Sequence, residues 1–250
     1  ALAGALLIQI GTNFSNDYFD YIKGADNEER LGPLRVTQAG LVAPKTMFRN
    51  FLLTFGIAAL VGLYLVYRGG WPIVLIGLLS IASGILYTAG PWPLGYLGLG
   101  DLFVLIFFGP VAVCGTYYVQ ALEVTEIVFY AGLGPGLLAT ALLVVNNLRD
   151  ESTDRKAGKL TLAVRYGTTF ARTEYLALFS SAVMLPVFLA LWLNGKWYAC
   201  ISALIIFPGY SAIRQIISGV SGRELNQTLN ISGKLIILYS TLFSIGWWLG

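Results

Sequence analysis

Two short clusters of amides and carboxylates stand at the ends of apolar stretches. Asn13, Asn16, Asp17 and Asp20 close the first stretch, followed by Lys23 and Asp26; Asn146, Asn147, Asp150 and Asp154 close a later one. Asp17 and Asp20 are spaced i, i+3, so on a helix they share a face, and Asn13 lies one turn earlier on the same side. Asp150 and Asp154, spaced i, i+4, are expected to share a face in the same way. Overlaid on their asparagines, Asn16-Asp17-x-x-Asp20 matches Asn146-Asn147-x-x-Asp150. The register is imperfect, since Asp154 falls on Gly24 and the nearest acid in the first copy is Asp26. A basic, Gly-containing tail follows each copy, which reads as a weak internal duplication of one device.

Carboxylate and amide oxygens without His or paired Cys suit a hard cation. Mg²⁺ is held by one or two carboxylates together with water and substrate phosphate oxygens. Lys23, Arg35, Arg155, Lys159 and Arg165 stand in the polar stretches next to the two clusters, as cations for phosphate oxygens. The expected chemistry is the departure of a metal-bound diphosphate, whose developing charge is neutralised as its C–O bond breaks. The plain alternative is that these are solvated helix ends. It explains poorly why acids stand at the C-terminal ends of apolar helices, where each opposes the macrodipole by roughly 0.3–1 kcal/mol.

The elements that position these residues belong to a membrane. The chain has 250 residues, 56% hydrophobic and 12% charged, against about a quarter charged in soluble domains. Eight stretches come near the ~20 residues that a bilayer core needs: roughly 1–21, 48–67, 71–89, 102–120, 125–146, 174–193, 197–213 and 231–249. The fold class is therefore all-α, a polytopic transmembrane helical bundle in one domain over 1–250. Of the 16 Lys and Arg, only Arg68 and Lys196 fall on one side of the membrane. The rest flank the connections after segments one, five and seven, which places the polar loops in the cytoplasm, or the stroma of a plastid. With that orientation Ala1 starts on the far side, so a further upstream helix is expected, making nine. A net charge of +3 and no basic stripe leave nothing for nucleic acid. Cys114 and Cys200 sit inside apolar segments and read as core residues.

No Gly-rich Walker loop is present, and apolar, aromatic helices adjoin the clusters. A long isoprenoid tail entering from membrane lipid therefore fits better than a nucleotide. Tyr87, Trp92, Tyr96, Phe103, Phe107 and Phe108 are aromatic candidates for facing an allylic cation, or else interfacial and core aromatics. Asp101 either caps the helix that follows it or orients an acceptor or a basic partner.

The strings NDYFDYIKGADNEERLGPLR at 16–35, YTAGPWPLGYLGLGDLFVLIFFG at 87–109 and NNLRDESTDRKAGKLTLAVRYG at 146–167 resemble the UbiA-type intramembrane prenyltransferases. Within that family they are similar to the branch that acts on 1,4-dihydroxy-2-naphthoate in menaquinone synthesis, whose GxD spacing Asp26 also resembles. The resemblance covers essentially the whole chain. It implies a multi-pass membrane enzyme of nine helices, whose first helix this chain would lack, in a bacterial inner membrane or a plastid membrane. It also implies transfer of a polyprenyl group from prenyl diphosphate to that naphthoate, with loss of CO₂ and diphosphate. Asp17, Asp20, Asp150 and Asp154 would then be catalytic and linked to Mg²⁺, with Asp26 a further ligand. Asn13, Asn16, Lys23, Arg35, Tyr87, Asp101, Asn146, Asn147, Arg155, Lys159 and Arg165 would line the substrates. A phytyl donor, or 4-hydroxybenzoate or homogentisate as acceptor, remains open, as does a secondary transporter with ionisable groups in its helices.

Overall fold

The computed structural model describes residues 1–25 and 30–250. Asp26 therefore lies outside the described residues. Among those described there are eight long helices and one short one, with no strand. They are α1 (Leu2–Ile22), α2 (Pro44–Gly69), α3 (Trp71–Leu86), α4 (Gly100–Ala121), α5 (Glu126–Arg149), the short α6 (Glu151–Lys156), α7 (Leu162–Leu193), α8 (Trp197–Ile217) and α9 (Leu225–Leu249). The eight long helices correspond to the eight apolar stretches, so the chain is an all-α, multi-pass membrane protein. Six of them, α2, α4, α5, α7, α8 and α9, are long and apolar enough to cross a bilayer. The α3 helix has 16 residues, about 24 Å, shorter than the ~30 Å hydrocarbon core and than the 71–89 span expected for it.

The chain divides into two compact units. The first contains Ala1–Gly100, Gly115–Glu123 and Ser152–Thr161. Here Pro44 and Pro72 open α2 and α3, where a missing N–H is harmless. Gly70, at φ 69°, makes the turn between these helices. An aromatic ladder of Tyr18, Phe19, Phe48, Phe51 and Phe55 joins α1 to α2. Gly11 admits the Phe55 ring, since a Cβ there would come within 2.8 Å of it. The ladder fixes the rotation of α1 and with it the direction in which Asp17 and Asp20 point.

The second unit contains Asp101–Cys114, Val124–Glu151 and Leu162–Gly250. Its core gathers Leu138, Val144, Val145, Tyr175, Phe179, Ile205, Ile216, Leu235 and Tyr239 from α5, α7, α8 and α9. Pro110 interrupts α4: without an N–H it cannot continue the ladder, and the helix widens to a π-turn over Phe107–Val111. Gly109 absorbs the distortion at φ −106°, ψ −109°. Gly132 and Gly136 of α5 allow that distorted backbone to approach, because a Cβ on Gly136 would stand 2.7 Å from the Leu105 carbonyl oxygen. Several boundaries depart from the sequence reading, and two of them bear on the polar clusters. The α7 helix starts at Leu162, far before 174, and bends at Gly167, φ 86°. The α5 helix stops at Arg149, with Asp150 at φ −95°, ψ 7° as its C-cap, before α6 begins at Glu151.

Candidate active site

In the first unit the end of α1 carries the first cluster inward. Asp17 and Asp20 are 5% and 4% exposed, and Ser15, two residues before Asp17, is also buried. The i, i+3 spacing thus delivers both carboxylates to one buried face, whereas Asn13 is exposed on the same helix. Such burial requires compensation, and it arrives from distant parts of the sequence. The Thr37 backbone N–H donates to Asp17 Oδ1 at 3.3 Å, from the turn that follows Arg35. The Tyr96 hydroxyl donates to Asp20 Oδ1 at 3.0 Å. The Lys159 ammonium stands 3.3 Å from both Asp20 oxygens. Asn16 Oδ1 accepts the Thr88 hydroxyl at 3.0 Å.

The loop between α3 and α4 holds Tyr96 in place. The Leu94 and Gly95 N–H groups donate to the Leu86 and Tyr87 carbonyls, and the Leu160 N–H donates to the Tyr96 carbonyl. Gly95 lets the half-buried Tyr87 ring close on the loop, since a Cβ there would meet it at 3.0 Å. Lys23, just past α1, donates to the carbonyls of Thr88 at 2.6 Å and Gly90 at 3.3 Å. Its Nζ also lies 4.7 Å from the Tyr96 ring centroid, and the Lys159 Nζ 5.1 Å from it. Burial lowers the Lys23 pKa from its usual value; the Asp20 charge opposes that shift and the Lys159 charge adds to it. Tyr96 is thus in contact with one carboxylate and two ammonium groups. Sequence reasoning had it only as one of several aromatics. The signal was its place in GPWPLGYLGLGD, four residues after Trp92 in a loop rich in Gly and Pro.

Asp154, Arg155 and Lys159 belong to this unit as well. Asp154 is half-buried on α6 and Arg155 is exposed, while Lys159 lies beyond the left-handed Gly158. Arg35 is half-buried in the connection between α1 and α2.

In the second unit the polar cluster is clamped by a residue that sequence reasoning passed over. Arg149 is 3% exposed. Its Nε and Nη2 donate to the two oxygens of Asp150 at 2.7 and 2.5 Å, a bidentate pair. The same guanidinium reaches Asn146 Oδ1 at 2.8 Å and Asn226 Oδ1, from α9, at 2.9 Å. Asn147 is buried beside it. The signal for Arg149 was its position inside Asn-Asn-Leu-Arg-Asp: an Arg in the last turn of an apolar helix needs an anion. The shared face expected for Asp150 and Asp154 is corrected here, because the helix ends at Arg149 and the two acids stand on different elements. Asp150 turns back onto its neighbour's guanidinium, and the chain leaves the helical path at that residue.

Asp101 lies in the first turn of α4 and so does not precede the helix as a cap. It is 6% exposed, and neither carboxylate oxygen has a hydrogen-bond partner among the described residues. Glu174 of α7 stands within electrostatic reach of it. Arg165 is exposed, two residues before the Gly167 bend.

The donor set tests the fit for Mg²⁺. Among the described residues no three acids gather closely enough to hold a metal on their own. Asp17 and Asp20 nevertheless offer hard oxygens, and Mg²⁺ asks the protein for only one or two carboxylates when phosphate supplies the rest. The residues fit a metal that arrives with a phosphate substrate. They do not fit a dedicated protein cage.

Known proteins agree with this picture. Residues 1–232 match the UbiA prenyltransferase family. The chain is 38% identical over 241 residues to a 1,4-dihydroxy-2-naphthoate octaprenyltransferase of Mycobacterium tuberculosis, covering 96% of this chain and 81% of that relative. It is 35% identical over 257 residues to the Haemophilus influenzae protein of the same name, covering 100% of this chain and 83% of the relative. The Escherichia coli protein of that name is 41% identical over 204 residues, 79% of this chain and 66% of the relative. The chain is therefore an enzyme rather than a transporter, and it belongs to the UbiA prenyltransferase family.

Proposed function

We propose that this chain transfers a polyprenyl group from a prenyl diphosphate to 1,4-dihydroxy-2-naphthoate in menaquinone biosynthesis, releasing diphosphate and CO₂. The observation that carries the reading is the buried pair Asp17 and Asp20 with Lys23, Lys159 and Tyr96 gathered around Asp20. The naphthoate acceptor rests on relatives of that name matched along more than four-fifths of their length.

Asp17, Asp20, Asp150 and Asp154 are assigned to Mg²⁺, with Asp26 as a further ligand. When bound, Mg²⁺ neutralises the diphosphate oxygens and so improves the leaving group. Lys23 and Lys159 supply compact positive charge to the same oxygens, and Arg35, Arg155 and Arg165 supply forked donors. Asn13, Asn16, Asn146 and Asn147 hold the carboxylates and the diphosphate by amide hydrogen bonds. The C1–O bond of the prenyl diphosphate breaks with its electron pair leaving on oxygen. The naphthoate ring carbon that bears the carboxylate supplies the pair for the new C–C bond. Loss of CO₂ from that carbon then returns a pair to the ring, so no strong base is needed, in keeping with a chain without His. Tyr87 faces the developing allylic cation, and Asp101 accepts a hydrogen bond from the naphthoate. The polar loops face the cytoplasm of an inner-membrane protein, as the distribution of Lys and Arg supports.

The test is mass spectrometry of products from membranes carrying the chain, given 1,4-dihydroxy-2-naphthoate and a mixture of prenyl diphosphates with and without Mg²⁺. Decarboxylated prenyl naphthols that form only with Mg²⁺ are expected. Prenylation of 4-hydroxybenzoate or homogentisate instead would replace the acceptor assignment.

A further inference from the structure

We propose that Lys159 and the divalent cation exchange at Asp20, with Tyr96 as the positioning residue that keeps the displaced ammonium beside the diphosphate. The inference rests on the functional reading above and adds a role that differs between two lysines.

Lys159 Nζ lies 3.3 Å from both oxygens of Asp20, so one ammonium spans the whole carboxylate. The Tyr96 hydroxyl takes a further lone pair of Oδ1. With Asp20 4% exposed, little of the carboxylate is left for another cation. A divalent ion on these oxygens would also meet the repulsion of an ammonium at contact distance. Occupancy by the metal therefore requires Lys159 to move.

The contacts of the two lysines say which can move. Lys23 is tied to two backbone carbonyls, one at 2.6 Å, and to the Tyr96 ring. Among the described residues Lys159 has only the Asp20 oxygens, at distances longer than the ~2.7–2.9 Å of tight charge-assisted bonds, and the ring at 5.1 Å. Its flexible four-carbon stem lets the ammonium swing without moving backbone. Once off Asp20 the ammonium retains the face of Tyr96 as a perch, and a diphosphate arriving with the metal is the nearest new anion. Lys159 thus neutralises Asp20 before the metal arrives and the substrate phosphate afterwards.

The exchange predicts opposite signs for two ligands, which a purely structural ion pair would not produce. Purified full-length protein in lipid nanodiscs is titrated with Mn²⁺, read by electron paramagnetic resonance, without prenyl diphosphate. Lys159→Met is expected to bind Mn²⁺ about three- to tenfold more tightly than the wild type. In turnover assays the same variant is expected to be about tenfold less sensitive to inhibition by inorganic pyrophosphate. Lys159→Arg, which keeps the charge on Asp20, is expected to leave Mn²⁺ affinity at the wild-type value or below. Unchanged or weaker Mn²⁺ binding in Lys159→Met overturns the exchange while leaving the prenyltransferase reading intact. Wild-type Mn²⁺ binding that Asp20→Asn does not affect removes the metal from Asp20, and the exchange falls with it.

Discussion

Asp20 and Asp150 are acids at the polar ends of apolar helices, and each is neutralised by a cation, but the cations come from opposite kinds of places. Asp150 is gripped by the next residue along the chain, Arg149, whose remaining donors go to Asn146 and Asn226. Asp20 is met by Lys159 and Tyr96, 139 and 76 residues away. The Arg149 pair is bidentate and short, with side chains 2% and 15% exposed; the Lys159 contact is longer, with side chains 18% and 5% exposed. A forked guanidinium whose three nitrogens are all engaged holds its carboxylate in one orientation. A single ammonium at 3.3 Å is one that another cation can replace. The two copies of the sequence device therefore hold their charge in different ways, one as a clamp and one as a latch.

The difference is broken most forcefully at Arg149. Arg149→Leu removes the guanidinium that pairs with Asp150 and bonds Asn146 and Asn226, and is expected to cost about 3–5 kcal/mol of stability. Unfolding of the purified protein by SDS titration in mixed micelles reads this out. Lys159→Met, judged the same way, also removes a cation from a buried carboxylate, but one that keeps the Tyr96 hydroxyl, and is expected to cost less, about 1.5–3 kcal/mol. Equal losses would erase the contrast.

Tyr96→Phe comes next. It removes one hydroxyl donor from a buried carboxylate, worth roughly 1.5–3 kcal/mol for a bond to a charged group, and keeps the ring under both lysines. It should therefore reduce stability in the same titration, yet retain the cation–π perch. A variant as stable as the wild type would mean that Asp20 does not depend on this bond.

The smallest effect is expected at Thr88. Thr88→Val removes the hydroxyl that donates to Asn16 Oδ1, at about 0.5–1.5 kcal/mol, and leaves the Thr88 carbonyl that receives Lys23. A loss well above that range would place Asn16 in the latch itself rather than beside it.

How far these arrangements could be read in advance depended on the range of the interaction. Apolar runs bounded by Gly, Pro and charge located all eight long helices, and the i, i+3 spacing put Asp17 and Asp20 on one face, because both signals are local. The same local rule misled at Asp150 and Asp154, where Arg149 pulls the carboxylate back and α5 ends between the motif's two halves. It likewise missed the extension of α7 back to Leu162, since Arg165, Thr168, Thr169, Arg172 and Thr173 make that stretch polar and read as connection, and the helix bends there at Gly167. Tyr96, Thr37 and Asn226 could not be chosen from sequence as partners of Asp20, Asp17 and Arg149. Their selection is made by packing across 20 to 77 residues, and no spacing rule reaches that far.

Asp17 offers the most direct test of the central claim, that these buried carboxylates serve Mg²⁺-dependent prenyl transfer. The Thr37 N–H donates to its Oδ1 at 3.3 Å, a bond that an asparagine oxygen accepts equally well, so Asp17→Asn removes charge and little else. In purified protein of wild-type thermal stability, its Mg²⁺-dependent prenylation of 1,4-dihydroxy-2-naphthoate is expected to fall at least about a hundredfold. Near-normal turnover by Asp17→Asn would contradict the claim.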